Sequence, residues 1–244
     1  NTNPCIPNAN SPACNPKVFV NIKALLQGAY VSSGTGAGLM RDSLRKRSYI
    51  PLTEPYTGLA PVLPTQHPFV HHYHGGGETT TAAMFVTTGN DAIVDWVMIE
   101  LRSGVDPAEV LYTKSGLIQR DGDIVNPNGT AFSIDAPAGS YYVAVRHRNH
   151  LGVMTAAPVA LNYSTPVAID FTLPSTAVWG TNARKIDGSK RLMWGGDTNA
   201  DRKLIFQGAG TDRDPIFFDI ISNPLNTAGN FNYISKGYRS GDTN

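Results

Sequence analysis

Three oxygen-bearing side chains recur at every second position near the C-terminus of the chain. They are Asp197, Asn199 and Asp201, which have the i, i+2, i+4 spacing of a calcium-binding loop. In a tight loop, alternate side chains can point at one hard cation, and Ca²⁺ takes oxygen ligands. The sequence therefore predicts a calcium site in this segment. An Asx-rich turn without an ion is the alternative.

The rest of the segment follows the standard calcium loop only in part. Lys203 would supply a backbone carbonyl at the seventh position. The standard loop also has Gly at its sixth position and a carboxylate at its twelfth, where this chain has Arg202 and Gly208. Asp212 can close the coordination shell if four residues are looped out. The predicted calcium ligands are Asp197, Asn199, Asp201, Lys203 and Asp212.

The histidines offer a second kind of metal chemistry. His71, His72 and His74 precede three glycines and Glu78, and imidazoles with a carboxylate can hold a transition metal. Adjacent residues of a strand point to opposite sides, however, and the chain has no HExxH motif. We expect an exposed, glycine-terminated loop here, with metal binding as the open alternative.

Other catalytic patterns are weak. Asp121 and Asp123 could pair as the carboxylates of a glycosidase, but Asp-Gly-Asp between two isoleucines is also a natural turn. His147 and His150 are interpreted as the polar end of a strand rather than as a general base. The chain has no GxSxG motif, and no GK[ST] follows its Gly-rich segment 32–38. We therefore expect a protein without catalysis.

Composition argues against several kinds of partner. Charged residues make up 16% of the chain and the net charge is +1, so no electrostatic field favours nucleic acid or an anionic membrane. No apolar run approaches the roughly 20 residues that span a bilayer. Cys5 and Cys14 lie in an Asn/Pro-rich lead, where we expect a disulfide of the kind found in exported proteins; free thiols or a metal site are the alternatives. The start at Asn1 rather than Met suggests processing or a fragment.

Short strands are the elements expected to position these residues. Between positions 116 and 154, alternating residues and Gly-, Pro- and Asn-rich turns indicate half-buried antiparallel strands. We predict a mostly-β protein, an antiparallel β-sandwich of the prealbumin or immunoglobulin kind, followed by a small calcium-loop-plus-helix region. Further strands are predicted from Lys17 onward and at 79–87, 95–102, 111–120, 156–163 and 167–173.

The chain is predicted to divide into four segments. The helix of the last one should begin at Asp212 or Asp214, either of which can cap it, with Pro215 in the first turn. Gly-Asp-Thr-Asn at 241–244 repeats the same letters at 196–199, which predicts a second, incomplete repeat. The segments are a disulfide-pinned arm at 1–16, the sandwich at 17–175, a linker at 176–194 and the calcium-loop region at 195–244.

These motifs resemble the calcium-loop-plus-helix repeat of dockerin modules. They are still more similar to a repeat near the C-termini of secreted proteins of the Bacteroidetes phylum, in which Gly-Asp-x-Asn-x-Asp is followed by Tyr/Phe-Gln-Gly and Asn/Thr-Asp. Here the three parts are at 196–201, 206–208 and 211–212, and the resemblance covers most of 17–244. The segment 128–145 is also similar to the prealbumin-like sandwiches of surface adhesins.

The resemblance implies export to the cell surface. We therefore expect a non-catalytic extracellular protein with a structural or adhesive role, as a subunit of a larger or filamentous assembly with copies of itself or other surface proteins. A carbohydrate-binding module of a secreted polysaccharide-degrading system is the alternative, and it should present coplanar aromatic rings on an exposed sheet face. The aromatic residues considered for this role are Trp96, Trp179, Trp194, Tyr141 and Tyr142.

Overall fold

The computed structural model describes residues 16–59 and 69–242. Cys5 and Cys14 lie outside these ranges, so their predicted disulfide stays a prediction. In chain order the strands are β1 (Lys17–Lys23), β2 (Ile93–Ser103), β3 (Val110–Gln119), β4 (Ile124–Val125), β5 (Ser133–Asp135), β6 (Gly139–His147), β7 (His150–Met154), β8 (Val159–Leu161), β9 (Val167–Asp170), β10 (Lys185–Asp187) and β11 (Lys190–Leu192). The α-helices are α1 (Ser43–Lys46) and α2 (Arg213–Ile221). The predicted mostly-β class is confirmed.

The larger sheet has six strands, all paired antiparallel. Its order is β4-β3-β2-β6-β7, and β8 pairs with the first part of β6. The outer edge of β7 is covered by later chain: the Trp179 N–H donates to the Met154 carbonyl (2.9 Å), and the Leu151 N–H donates to the Trp194 carbonyl (2.8 Å). These bonds satisfy backbone groups that an open edge would leave to water.

A smaller, three-stranded sheet has the order β5-β1-β9, with β1 antiparallel to β5 and parallel to β9. The apolar side chains of the two sheets form one core cluster. Val18 and Val20 of β1 are completely buried there with Val97 of β2 and Val143 of β6. The period-two alternation in the sequence predicted these inward faces, because successive side chains of a strand point to opposite sides.

The second face of β2 carries a smaller apolar cluster. Trp96 and Met98 are fully buried with Tyr56 and Phe69. The Trp96 indole Nε1–H donates to the Pro51 carbonyl (2.9 Å), and the Tyr56 hydroxyl donates to the Trp96 carbonyl (2.8 Å). Both faces of β2 are therefore covered.

Two segments differ from expectation. The strand predicted at 79–87 is wrong: Ala82–Phe85 forms a 3-10 helix, because this exposed segment finds no sheet to join beyond an isolated bridge between Thr79 and Thr53. The segment 176–194, predicted as a linker, folds onto the sandwich as the hairpin β10–β11. Met193, directly after β11, lies in the core and is 1% exposed. The Met193 N–H donates to the Leu25 carbonyl (2.8 Å).

The C-terminal region is irregular except for α2. This helix begins after Asp212, as predicted, with Pro215 in its first turn. None of its residues is buried, although five of the nine are isoleucine or phenylalanine. An apolar helix normally buries one face, so the exposed apolar residues of α2 are unusual for a surface helix.

Candidate functional site

The predicted calcium ligands lie together in one closed loop. Asp197, Asn199 and Asp201 are 5%, 2% and 6% exposed. Asp212 closes the loop from across it: its Oδ1 accepts the Thr198 N–H (3.0 Å) and its Oδ2 accepts the Ile205 N–H (2.7 Å). Asp212, the carboxylate that was predicted to complete the shell, therefore lies against Thr198 at the start of the loop.

The backbone of this loop has the turn that a calcium loop needs at its sixth position. Arg202 has a φ of 67° there, in the left-handed region, and Ala200 has a φ of 56°. Glycine adopts this conformation most readily. The Arg at this position departs from the standard sequence pattern, but the chain takes the glycine-like conformation nevertheless.

One carboxylate oxygen in the loop lacks a hydrogen-bond donor. Asp197 Oδ1 is buried and has no hydrogen-bond partner within the described ranges. Burial, and then the charges of Asp212 and Asp201, raise the pKa of Asp197 to about 7. A bound cation would neutralise these crowded carboxylates and supply the missing contact for Oδ1.

The donor set fits a hard cation better than a soft one. No group of three or more His, Cys, Asp or Glu side chains in the described part of the chain is arranged as a preformed metal site. This holds also for Asp197, Asp201 and Asp212 of the predicted shell. The other two predicted ligands are the Asn199 amide oxygen and the Lys203 carbonyl oxygen. Ca²⁺ accepts both kinds of oxygen in flexible geometry. Calcium binding by this loop remains a prediction.

The histidine loop does not form such a site. His71 Nε2 lies 3.1 Å from Thr57 Oγ1 and 3.6 Å from Glu54 Oε1, whereas His74 is exposed. The backbone N–H of His72 donates to Thr113 Oγ1 (2.7 Å), which fixes the loop to β3. These contacts hold the loop without requiring a metal.

Asp121 and Asp123 belong to the turn predicted for them. Both carboxylates form ion pairs with Lys23, at 3.3 and 3.1 Å. Gly122 between them has a φ of 94°, and a side chain there would approach the Ala24 carbonyl. The pair joins β1 to the turn between β3 and β4.

A buried polar cluster lies at the far end of β6, where the sequence predicted only a polar strand end. His147 and His150 are 3% and 2% exposed. His147 Nε2 lies 3.1 Å from Asp95 Oδ2, and the same oxygen accepts bonds from Arg148 Nε (3.2 Å) and Nη2 (3.1 Å). Burial alone would raise the pKa of Asp95. The charge of Arg148 and the hydrogen bond from His147 outweigh this effect and hold the pKa far below its ordinary value.

This cluster, which we call the Asp95 cluster (Asp95, His147, Arg148, Asn149 and His150), holds the C-terminal region on the sandwich. Arg148 Nη2 donates to the Asp242 carbonyl (2.9 Å), and Asn149 Nδ2 donates to the carbonyls of Ser240 (2.8 Å) and Asp242 (2.6 Å). The cluster joins residues that are far apart in the sequence. A signal for it existed: five consecutive polar residues interrupt the apolar run of β6 and β7.

The Tyr238 hydroxyl adds a further bond to Asp95, through Oδ1. The Arg148 guanidinium also lies over the Tyr238 ring, 4.3 Å from its centroid. Tyr238 of the C-terminal region therefore contacts both Asp95 and Arg148 of the sandwich.

The aromatic residues considered for sugar stacking do not form a flat platform. Trp96 and Tyr141 are buried in the core clusters. Tyr142 and Trp179 meet edge to face, with their planes at 90° and centroids 5.7 Å apart. The Trp194 indole Nε1–H donates to the Asn182 carbonyl (2.8 Å). Coplanar rings on an exposed sheet face are therefore not found among these five residues.

Exposed apolar side chains are concentrated instead around α2. Phe217 stacks on Phe231, with centroids 5.9 Å apart and planes at 17°, and meets Phe218 edge to face. Phe206 lies under the Arg213 guanidinium, 4.9 Å away. We call six exposed residues of this C-terminal region the aromatic face: Phe206, Phe217, Phe218, Phe231, Leu225 and Ile234. Ring contacts join Phe217, Phe218 and Phe231, and Phe206 lies against Arg213 at the start of α2.

No known protein family, curated protein or solved structure matches this chain. Within the described ranges, no helix has the length and apolar character needed to cross a membrane.

Proposed function

We propose that this protein is a non-catalytic structural or adhesive subunit that works outside the cell and associates with copies of itself. The aromatic face is the observation that carries this proposal. Its members Phe206, Phe218 and Phe231 are 75%, 62% and 69% exposed. Exposed residues of this size are costly in water and are typical of surfaces that become covered.

The extent of the aromatic face favours a protein partner. An aromatic side chain buries about 150–250 Å² when it is covered, so the exposed parts of its four phenylalanines amount to roughly 500 Å². Leu225 and Ile234 of the same region are 80% and 76% exposed. The area of the phenylalanines alone is more than half of the roughly 800 Å² that each side contributes to a standard protein interface.

Charge around the aromatic face favours a second copy as that partner. Asp219 and Arg239 form an ion pair of 3.0 Å beside it, and the whole chain has a net charge of +1. Two copies can therefore approach without strong repulsion. A two-fold contact would also cover the same residues on both copies at once.

The attachment of the C-terminal region to the sheets supports a role for this surface as the contact between subunits. The Asp95 cluster fixes the C-terminal region to the sandwich, so a contact made through α2 is transmitted to the sheets. The covered edge of β7 argues against strand addition at that edge. Calcium is the proposed cofactor: it would order the loop at 197–212 that precedes α2, and extracellular calcium modules bind with dissociation constants of about 10⁻⁴–10⁻³ M.

Extracellular location is part of the proposal and is supported by the resemblance to secreted Bacteroidetes surface proteins. Electron microscopy of the purified protein in calcium, and again after chelation, tests the function as a whole. We expect particles of at least dimer size in calcium and smaller particles after chelation. Separate monomer-sized particles in both conditions at high protein concentration would contradict it.

A further inference from the structure

A polar cavity of about 550 Å³ opens where β1, β3 and β5 meet the turn that follows β4. It has the size of a small-molecule site, since such sites span about 300–1,000 Å³. It is separate from the calcium loop and from the aromatic face. Its lining includes Phe19, Glu78, Lys114 and Asn128.

The Lys114 ammonium is held at the cavity wall by neutral groups. Nζ donates to Asn126 Oδ1 (2.9 Å) and to the Ser133 carbonyl (2.7 Å), and lies 5.6 Å from the Phe132 ring centroid. Burial lowers the pKa of Lys114, and the charge of Asp135 partly offsets this effect. An ammonium has three donors, and these two bonds leave one for another acceptor.

Glu78 supplies a complementary acceptor. Its Oε1 accepts the Ser115 N–H (3.1 Å) and the Gly76 N–H (3.3 Å), which fix the carboxylate in place. Its Oε2 is buried and has no hydrogen-bond partner among the described residues. An unsatisfied buried acceptor is costly, at about 1–3 kcal/mol, and a ligand hydroxyl could satisfy it.

The mixture of donors and acceptors defines the class of ligand. An anion would be attracted by Lys114 and Lys17 but repelled by Glu78. A cation would be attracted by Glu78 but repelled by the two lysines. A neutral ligand with several hydroxyl groups can accept from an ammonium and donate to a carboxylate. Phe19 is half-buried at the cavity and offers a ring against which the C–H face of a sugar can pack.

We propose that this cavity binds a neutral saccharide, with Lys114 donating to one hydroxyl and Glu78 accepting from another. The site goes beyond assembly and would give each subunit a glycan contact of its own. It does not use the aromatic residues considered from the sequence, and it does not depend on self-association.

Saturation-transfer NMR with maltotriose, cellotriose and triacetylchitotriose tests the proposal on the full chain. We expect transfer to at least one of the three sugars, and at least tenfold weaker binding to Lys114→Met and to Glu78→Gln. Lys185→Met, a lysine outside the cavity, is the matched control and should bind as the wild type does. Inorganic phosphate should not displace the sugar.

Melting curves separate loss of the site from loss of the fold. If Lys114→Met or Glu78→Gln is unfolded, Asn128→Ala at the exposed rim replaces it, and we expect that variant to bind the sugar at least threefold more weakly. Absence of transfer to all three sugars overturns the proposal. Unchanged binding in the folded variants, or full displacement by phosphate, also overturns it. None of these outcomes bears on self-association, which is measured separately.

Discussion

Arg148 donates through both Nε and Nη2 to one carboxylate oxygen, Oδ2 of Asp95, over 3.2 and 3.1 Å. The two side chains are only 2% and 3% exposed. A buried ion pair of this kind is costly to form, and removing one partner leaves the other buried and uncompensated. The pair therefore makes the fold depend on a single carboxylate.

Replacing that carboxylate should be strongly destabilising. We expect Asp95→Asn to lower the free energy of unfolding by about 3–5 kcal/mol, because Arg148 would lose its counter-ion in a buried site. Urea denaturation at pH 7.5 measures the change. Asp91→Asn, at an exposed position just before β2, is the control and should change stability by less than about 0.5 kcal/mol. Equal stability of the two variants would show that the pair is not structurally important.

Attachment of the C-terminal region can be tested separately. Asn149→Ala removes the two side-chain bonds to the carbonyls of Ser240 and Asp242. We expect faster amide hydrogen exchange at 238–242, with β2 and β6 unchanged, because local opening depends on local bonds. Asn90→Ala, at an exposed position, should leave exchange there as in the wild type. The attachment model would be wrong if exchange at 238–242 were the same in both variants.

The histidines of the Asp95 cluster should make stability depend on pH. His150 Nε2 accepts the Gly28 N–H (3.2 Å), which requires a neutral ring. Burial lowers the pKa of His147 and lowers that of His150 further, whereas an unfolded histidine titrates near about 6.5. The unfolded chain therefore binds protons first, so stability is complete above pH ~6.5 and declines as the pH falls below it.

Urea denaturation at pH 7.5, 6.5 and 5.5 in saturating calcium checks this dependence. Calcium is included because Asp197, whose pKa is raised to about 7, acts with the opposite sign in the same range. We expect His150→Gln to be less stable at pH 7.5 but to lose less stability on acidification than the wild type. An equally steep decline in the variant would assign the pH dependence to other groups.

The strands and the Asp95 cluster differ in how far the sequence predicts them. The inward faces of β2 and β6, which include Val97 and Val143, follow from local alternation of apolar and polar residues. The bond from Tyr238 to Asp95 spans 143 positions, and no local pattern encodes such a pairing. The threonine-rich segment at 79–87 has strand propensity but no strand beside it, so propensity alone gave the wrong element there.

The sequence predicts the loop at 197–212 from spacing and names Asp212 as the residue that can close it, but it does not give the contact that Asp212 makes. Alternating Asp and Asn residues identify the loop, whereas the position of Asp212 against Thr198 depends on the conformation of the intervening chain. The exposure of the aromatic face does not follow from the sequence. The letters of α2 show apolar residues such as Ile216 and Phe217, but a sequence does not show whether an apolar helix face is covered.

Calcium should stabilise the protein through Asp197. We expect added calcium to raise the melting temperature of the wild type. The melting temperature of Asp197→Ala/Asp201→Ala should not change when calcium is added. Binding should be about tenfold weaker at pH 6 than at pH 8, because Asp197 with a pKa of about 7 must lose its proton to coordinate the ion. Calorimetry measures both, with Asp106→Asn as the control at an exposed aspartate. Absence of binding heat in the wild type would favour an Asx-rich turn without an ion.

The central claim is that the aromatic face is covered by a second copy of the chain. Sedimentation velocity over a hundredfold range of protein concentration in calcium tests it most directly, with the wild type, Phe217→Ser/Phe231→Ser and Val105→Ser compared. Val105 is 96% exposed and lies outside the aromatic face, so it controls for the general effect of removing a surface apolar group. We predict that the wild type and Val105→Ser sediment faster as concentration rises, whereas the double variant stays monomeric. A wild type that remains monomeric throughout, or a double variant that associates as the wild type does, would contradict the claim.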